Sequence, residues 1–309
     1  MDALNVVGRF APTPSGRMHL GNVFAALMAW LSVRSRNGEM VLRMEDLDTL
    51  RTSREFAETL RDDLRWLGLT WDRETPAQST RGPVYDRYFE LLRERGLIYP
   101  CYCTRSQLHS VNAPHLSDGT YVYPGTCRNL TEKQKAAFHR APAFRVMVDD
   151  RLWKFTDRVQ GPYSLNLATD CGDMVVRRAD GVYVYQLAVT VDDGEAGVTE
   201  VVRGMDLLSS APRQMYLQEL FEFPHPAYAH VPMLLAPDGR RLSKRDRDLD
   251  LGEIRKRMTR EELLGILASS CKLIPQCVPI SLDELTKEFS WDAISPDSIY
   301  LDSSVWTEM

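Results

Sequence analysis

The sequence predicts an α/β protein: a domain of parallel strands and helices, interrupted by an insertion and followed by a short helical end. Three observations predict it. Short apolar runs alternate with amphipathic stretches as far as Arg95, the rhythm of βαβ units. Near Tyr99 the texture changes to a stretch rich in Cys, His, Gly, Pro and Tyr, and the βα rhythm resumes at Gln186. Beyond Asp250 the pattern turns helical, then loosens into a Ser- and Asp-rich tail.

In order along the chain, residues 6–10 form a short buried strand that ends in the turn-rich Ala11-Pro12-Thr13-Pro14-Ser15-Gly16. A mostly apolar helix starts near His19 and runs to about Arg36. Residues 41–44 form a second strand. Residues 54–67 have helical periodicity, with Leu60, Leu64 and Leu67 on one face. Pro83 opens another helix through Arg95, since Pro is well placed in a first helical turn. The stretch that follows has hairpin character: strands at 143–148 and 152–155, then 174–177 and 182–185 about the turn Ala179-Asp180-Gly181. Residues 198–202 read as a strand, 212–222 as a helix and 231–236 as an apolar run. Helices at 253–258 and 260–269 follow.

Composition narrows the class. With 309 residues, 44% hydrophobic and 26% charged, collagen-like, coiled-coil and wholly disordered readings fall away. A formal net charge of −5 gives no global reason to bind nucleic acid, although a local basic patch can do so. Six unevenly spaced cysteines are too few for a disulfide scaffold and read as reduced thiols. Residues 23–33 have the length of a signal-peptide core but lack a small-residue cleavage site, and they are too short to span a bilayer. They read as a buried helix in a cytoplasmic protein with no membrane association.

Three constellations carry chemistry. The first is Arg9 to Gly16 followed by His19-Leu20-Gly21-Asn22 at a helix start. Strand, turn and helix N-terminus together make an anion site, because free backbone N–H groups and the helix dipole favour negative charge. Gly21 lets a planar base or sugar approach the backbone, and His19 can donate to a phosphate oxygen. Taken alone, a His at a helix start is more often a plain cap. The second is Arg240-Arg241-Leu242-Ser243-Lys244-Arg245, four cations in six residues after the turn Pro237-Asp238-Gly239. It suits polyphosphate, with Lys as a mobile point charge, although most such runs are solvated loops. The third is Cys101-x-Cys103 with Cys127 downstream, three thiols that suit a zinc knuckle one ligand short. His109 and His115, inside the loop, are the default fourth ligand from general zinc chemistry.

RFAPTPSG with HLGN, and RLSKR late in the chain, resemble the two signatures of class I aminoacyl-tRNA synthetases, known by the letters HIGH and KMSKS. The match departs at Asn22 and places Arg241 and Arg245 around the second signature. Arg9-Phe10-Ala11-Pro12, Arg43-Met44-Glu45-Asp46, Tyr185-Gln186-Leu187-Ala188 and Val202-Arg203-Gly204 are similar to the glutamyl branch, so the resemblance spans roughly residues 5–250. It implies a Rossmann-type catalytic domain in two segments, 1–98 and 185–250. An acceptor-type insertion would occupy 99–184, and a helical stem-contact module with its tail 251–309.

The resemblance also implies residue roles. His19 and Lys244 would stabilise charge on the phosphates, and His19, Gly21, Asn22, Ser243 and Lys244 would bind ATP with Mg²⁺. Arg9, Tyr185 and Arg203 would hold the carboxylates of L-glutamate and Glu45 its ammonium, with Ala11 and Thr13 beside them. The plainer reading of Arg43 and Glu45 is an ion pair at a strand end.

One sub-branch, the glutamyl-queuosine tRNA(Asp) synthetases, uses a Cys-x-Cys…Tyr-x-x-x-Cys arrangement with a tyrosine oxygen. Tyr123 and Cys127 match that spacing, which implies a structural Zn²⁺ on Cys101, Cys103, Tyr123 and Cys127. The stretch beyond Arg245 is too short for the helical anticodon-binding region of full glutamyl-tRNA synthetases. The basic run Arg255-Lys256-Arg257 with Arg260 either touches RNA phosphates or forms a solvated helix face. The expectation is a monomer that activates glutamate without needing tRNA and transfers it to the queuosine base in the anticodon stem-loop of tRNA(Asp). Two rivals are a truncated glutamyl-tRNA synthetase charging the terminal adenosine and a catalytically inactive RNA-binding or regulatory paralogue.

Overall fold

The computed structural model describes residues 6–104, 106–107, 122–240 and 250–301. The opening strand is β1 (Val7–Phe10). It pairs in parallel with β2 (Glu39–Leu42), from Val7 opposite Glu39 to Phe10 opposite Leu42. The crossover between them is α1 (Leu20–Arg34), whose run of small and large apolar side chains is buried along nearly its whole length. The apolar stretch 23–33 is thus the interior of a core helix. Among the described residues no helix is long and apolar enough to cross a membrane.

The next crossover, α2 (Arg54–Leu67), keeps its expected bounds because its caps are strong. Ser53 accepts from the Phe56 amide, and Gly68 closes the end in the left-handed region. A two-residue strand, β3 (Arg73–Glu74), follows on β2, and α3 (Gly82–Glu94) leads into the insertion.

The insertion holds two antiparallel units. β4 (Ile98–Cys101) pairs with β5 (Ala143–Val146), which pairs with β8 (Met174–Arg177); a short α4 (Glu132–Ala136) precedes β5. β6 (Leu152–Asp157) pairs with β7 (Gly161–Asn166), not with a neighbour already expected. The sequence hid β7 because Pro162 and Ser164 break its apolar alternation. A short α5 (Leu167–Asp170) links β7 to β8.

The expected strand at 182–185 is corrected. Pairing there is a single bridge of Tyr183 to Arg177, carried by the Arg178 amide on the Val182 carbonyl and the Val184 amide on the Val176 carbonyl. It goes no further because the chain turns helical at once; the Tyr183 hydroxyl donates to Asp86 at 2.6 Å and its ring packs among Tyr85 and Phe89. Tyr185 already begins α6 (Tyr185–Glu195). After it come β9 (Glu200–Gly204), α7 (Ser210–Leu220) and β10 (Ala227–Val231), with β9 and β10 parallel. This sheet meets the first where Thr199 takes the Val7 amide on its hydroxyl and gives its own amide to the Val7 carbonyl, both at 2.9 Å.

The apolar run at 231–236 is likewise split. Pro232 has no N–H and ends the ladder, and β11 (Leu234–Leu235) pairs instead with β12 (Ile299–Tyr300) near the chain end. The expected helix at 253–258 is a single turn, α8 (Leu251–Ile254), while α9 (Arg260–Ser270) stands with a Thr259–Glu262 capping box. The tail is not loose up to Leu301. It forms α10 (Leu282–Glu288), and Trp291 donates to Ser32 at 3.1 Å.

Side chains of the parallel strands alternate between two cores. Val202, Ala229 and Val231 join the core around α1, α2 and the C-terminal helices. Val201 and Tyr228 join the core shared by α3, α6, α7 and the insertion strands.

Gly265 lies inside α9, where Ala is ordinarily worth about 1 kcal/mol more than Gly. Here an added Cβ would sit 2.0 Å from the Val278 carbonyl oxygen, so the sign should reverse. Gly265→Ala is expected to lower the urea midpoint, and a rise would show that 278–280 yields freely.

Candidate active site

The ends of β1 and β9, the turn after β1 and the start of α1 face one cavity of 720 Å³. Arg9, Ala11, Thr13, His19, Gly21, Asn22, Glu45, Tyr185 and Arg203 all line it, so most of the first signature and the expected amino-acid site converge there. Residues 241–249 lie outside the described residues, and with them Arg241, Ser243, Lys244 and Arg245.

Three acids and one arginine fix the floor. Arg43, just past β2, is fully buried. It donates to Asp193 at 2.6 Å and to Glu45 at 2.9 Å, with Asp192 at 3.7 Å. Burial works against its charge, but Asp193, Glu45 and Asp192 more than offset this and hold the guanidinium protonated. The ion pair of Arg43 with Glu45 is therefore real, and Glu45 lines the cavity as well. Burial raises the Glu45 carboxyl above its ordinary value, with Arg43 and Arg9 acting the other way. For Asp193 the balance reverses: burial pushes up, but Arg43, Arg9 and Arg203 outweigh it and keep it ionised.

Two of the cavity arginines, Arg9 and Arg203, are held from behind. Arg9 donates to the Val202 carbonyl at 3.0 Å and faces Asp193 at 3.6 Å. Arg203 donates through Nε to His230 Nε2 at 2.9 Å and through Nη1 to Gln214 at 2.8 Å and the Tyr185 hydroxyl at 3.4 Å. Its Nη2 is buried with no hydrogen-bond partner among the described residues. A buried guanidinium with a spare donor is what a ligand carboxylate needs.

The N-terminus of α1 supplies a second kind of donor. The His19 carbonyl closes the first turn to the Asn22 and Val23 amides, no side chain caps the helix, and no acid lies in its first turn. Gly21 lines the cavity and also has a local role. An added Cβ would lie 3.2 Å from the His19 ring, so the missing Cβ leaves room for that imidazole. The arrangement thus brings the guanidinium groups of Arg9 and Arg203, the Glu45 carboxylate, the Tyr185 phenol and a helix N-terminus to one cavity, a set that suits a ligand with carboxylate, ammonium and phosphate groups.

Sequence reasoning passed over Asp157, Asp192, Asp193, Gln214 and His230. Two adjacent acids in the otherwise apolar Tyr185–Glu195 helix were the available signal, since buried acids in such a helix need a cation. The basic run after Asp250 is engaged in the fold. Arg255 bonds Asp62 at 2.5 Å and Asp63 at 3.2 Å, Lys256 pairs with Glu253 and Arg260 with Glu261.

A separate cluster lies in the insertion. The sulfurs of Cys101, Cys103 and Cys127 all lie within 4.8 Å of one another, a group that could hold a metal ion. The Tyr123 hydroxyl sits 3.5 Å from Cys101 Sγ and 3.8 Å from Cys103 Sγ, with Cys103 and Cys127 sulfurs 3.6 Å apart. A tetrahedral ion at about 2.3 Å from sulfur and about 2.0 Å from oxygen sets S···S near ~3.8 Å and S···O near ~3.5 Å. The three separations given above match that spacing. Arg145 donates to Cys101 Sγ at 3.3 Å and stacks 3.7 Å over the Tyr123 ring, a buried cation suited to anionic ligands. Burial pushes the Cys103 thiol up to about 12, aided by Cys101. For Cys101, burial also pushes up, but the Tyr123 hydroxyl, the Cys103 amide and Arg145 outweigh it and bring the thiol below its ordinary value. His109 and His115 lie outside the described residues.

Comparison with known proteins adds the following. The family described as tRNA synthetases class I (E and Q), catalytic domain, matches residues 5–263. The Glutamyl-Q tRNA(Asp) synthetase of Nitratidesulfovibrio vulgaris is 45% identical over 88% of both chains. That of Symbiobacterium thermophilum is 45% identical over 91% of both. A glutamate tRNA ligase from Elizabethkingia meningosepticum, solved with its amino acid, superposes with a TM-score of 0.83 at 27% identity. It covers 98% of this chain and 68% of that one.

His230 yields a pH prediction. Burial lowers its pKa from the ordinary 6.5 to about 4, with Asp157 resisting and Arg203 assisting, so the folded protein holds it neutral. Stability from this group is complete above pH 6.5 and declines as pH falls towards 4, by about 3 kcal/mol in all. Urea melts across that window should show this decline in the native protein and a flatter profile in His230→Gln.

Proposed function

This chain belongs to the class I tRNA synthetase family, in the branch for glutamate and glutamine, and from that membership we propose that it activates L-glutamate with ATP and transfers it to the queuosine base in the anticodon stem-loop of tRNA(Asp). The observation that carries the reading is the cavity on which Arg9, Glu45, Tyr185, Arg203 and the start of α1 converge. In activation, a glutamate carboxylate oxygen forms a bond to the α-phosphorus of ATP and the bond to pyrophosphate breaks. In transfer, a hydroxyl of the modified base attacks the acyl carbon, loses its proton, and AMP leaves. Neither step needs a protein nucleophile; positioning and charge stabilisation do the work.

In this reading Arg9 and Arg203 take the glutamate carboxylates, Tyr185, Ala11 and Thr13 frame them, and Glu45 receives the ammonium. The α1 N-terminus with His19, Gly21 and Asn22 binds ATP, joined by Ser243 and Lys244, while Mg²⁺ offsets further phosphate charge. The catalytic unit is Rossmann-type and built from 1–98 and 185–250. The segment 99–184 is its metal-bearing insertion, and 251–309 is the module that meets the RNA stem. We assign the metal as one structural Zn²⁺ held by Cys101, Cys103, Cys127 and the Tyr123 oxygen. The donor spacings and the stacked Arg145 support this assignment.

Glutamate-dependent ATP–pyrophosphate exchange tests the activity. Robust exchange without tRNA is the expected result, with Lys244→Ala slowing it at least about a hundredfold. Exchange only with tRNA would favour a synthetase that charges the terminal adenosine, and none under either condition an inactive paralogue.

The metal is tested by competition with a chelator. Tyr123→Phe should weaken zinc retention by roughly tenfold or more. Full retention would move the fourth ligand to His109 or His115.

A further inference from the structure

A buried chain of side chains runs behind the cavity from the insertion hairpin to Arg203. Asp157 ends β6, and its carboxylate accepts from the Val159 amide at 3.0 Å and the Gln160 amide at 2.9 Å. It also accepts from the His230 amide, at 3.0 and 3.1 Å to its two oxygens, and from His230 Nδ1 at 2.6 Å. His230 is 0% exposed, and in the parallel ladder it lies directly opposite Arg203. Its other nitrogen, Nε2, faces Arg203 Nε at 2.9 Å.

The donor arithmetic leaves one arrangement. A guanidinium Nε–H can only donate, so His230 Nε2 must accept and carry no proton. A carboxylate can only accept, so His230 Nδ1 must carry the proton. The opposite tautomer would set donor against donor at Arg203, and a doubly protonated ring would set two cations together. Asp157 selects the required tautomer. With Nε on His230 and Nη1 on Gln214 and Tyr185, two of the three guanidinium nitrogens are committed, and Nη2 is buried without a hydrogen-bond partner among the described residues.

We propose that His230 and Asp157 are positioning residues for the amino-acid site: Asp157 fixes the His230 tautomer, and His230 Nε2 pins the Arg203 guanidinium in its place on the cavity wall, where it can meet a substrate carboxylate. Neither residue touches the substrate. The inference rests on the reading of Arg203 as a glutamate ligand. It also gives the insertion a role in the catalytic unit, since the hairpin that carries Asp157 sets the orientation of a side chain on β9.

The test is calorimetric titration of L-glutamate into the full chain, with ATP binding as the control for the fold. Four variants separate the alternatives, Asp157→Asn among them. His230→Gln places an amide oxygen near the former Nε2, where it can still accept from Arg203. His230→Asn is too short to reach it, and Arg203→Ala removes the ligand group itself. Loss of a hydrogen bond to a buried charge is expected to weaken glutamate binding roughly tenfold or more in His230→Asn. Asp157→Asn should weaken it in the same direction, His230→Gln should bind within about threefold of the native protein, and ATP affinity should be unchanged in all three. If Arg203→Ala loses glutamate while His230→Asn binds it normally, the positioning role is overturned. If His230→Gln loses as much as His230→Asn, the ring is needed for its shape and the proposal also fails. If Arg203→Ala binds glutamate normally, it is the assignment of Arg203 that fails, and the relay falls with it.

Discussion

A guanidinium with no access to water governs the geometry of this site. Arg43 is 0% exposed, and a charge in that position is tolerable only if neighbouring acids neutralise it. Asp193, Glu45 and Asp192 do so from two directions, one along the chain that leaves β2 and one from α6. Asp192 in turn accepts from Gln78, Arg81 and Tyr85, which secures the start of α3. Neutralising one arginine thus clamps a strand end, a helix and the entry to a second helix. Glu45 is delivered to the cavity wall as part of that clamp, and Asp193 faces both Arg43 and Arg9.

The rest of the site follows from parallel pairing. Parallel strands bring like ends to the same side, and each connection then begins a helix or a turn there. Arg9 on β1, the residues after β2, Arg203 on β9 and His230 on β10 therefore meet although they are far apart in sequence. α1 starts at the same end, so Gly21 and Asn22 of its first turn line the cavity together with Arg9 and Arg203.

Much of this was legible from short local signals. α2 and α9 could be read nearly to the residue because capping residues flank a periodic apolar face, and β1 because a turn-rich segment follows it at once. Arg9, Glu45, Tyr185 and Arg203 were legible through motif resemblance, and the cavity gathers them. What escaped was non-local. β7 looks polar and broken by Pro162, and only its partner β6 makes it a strand. Asp157 and His230 are 73 positions apart, and neither stands out until the hairpin tip meets β10. The end of the chain read as loose because β12 has only two residues, and its order comes from pairing with β11 and from Trp291 on Ser32.

The shortest strand of the first sheet has a consequence for the molecule in a crowded solution. β3 is two residues long, Arg73 and Glu74, both exposed, and it lies on the outer side of β2. Arg73 reaches across to Glu39 and to the Ala196 carbonyl, while Glu74 holds Arg61. A foreign strand approaching this border would find few unpaired rungs and a row of charged side chains already engaged with each other. The border of the sheet that builds the cavity therefore resists adding strands from other chains.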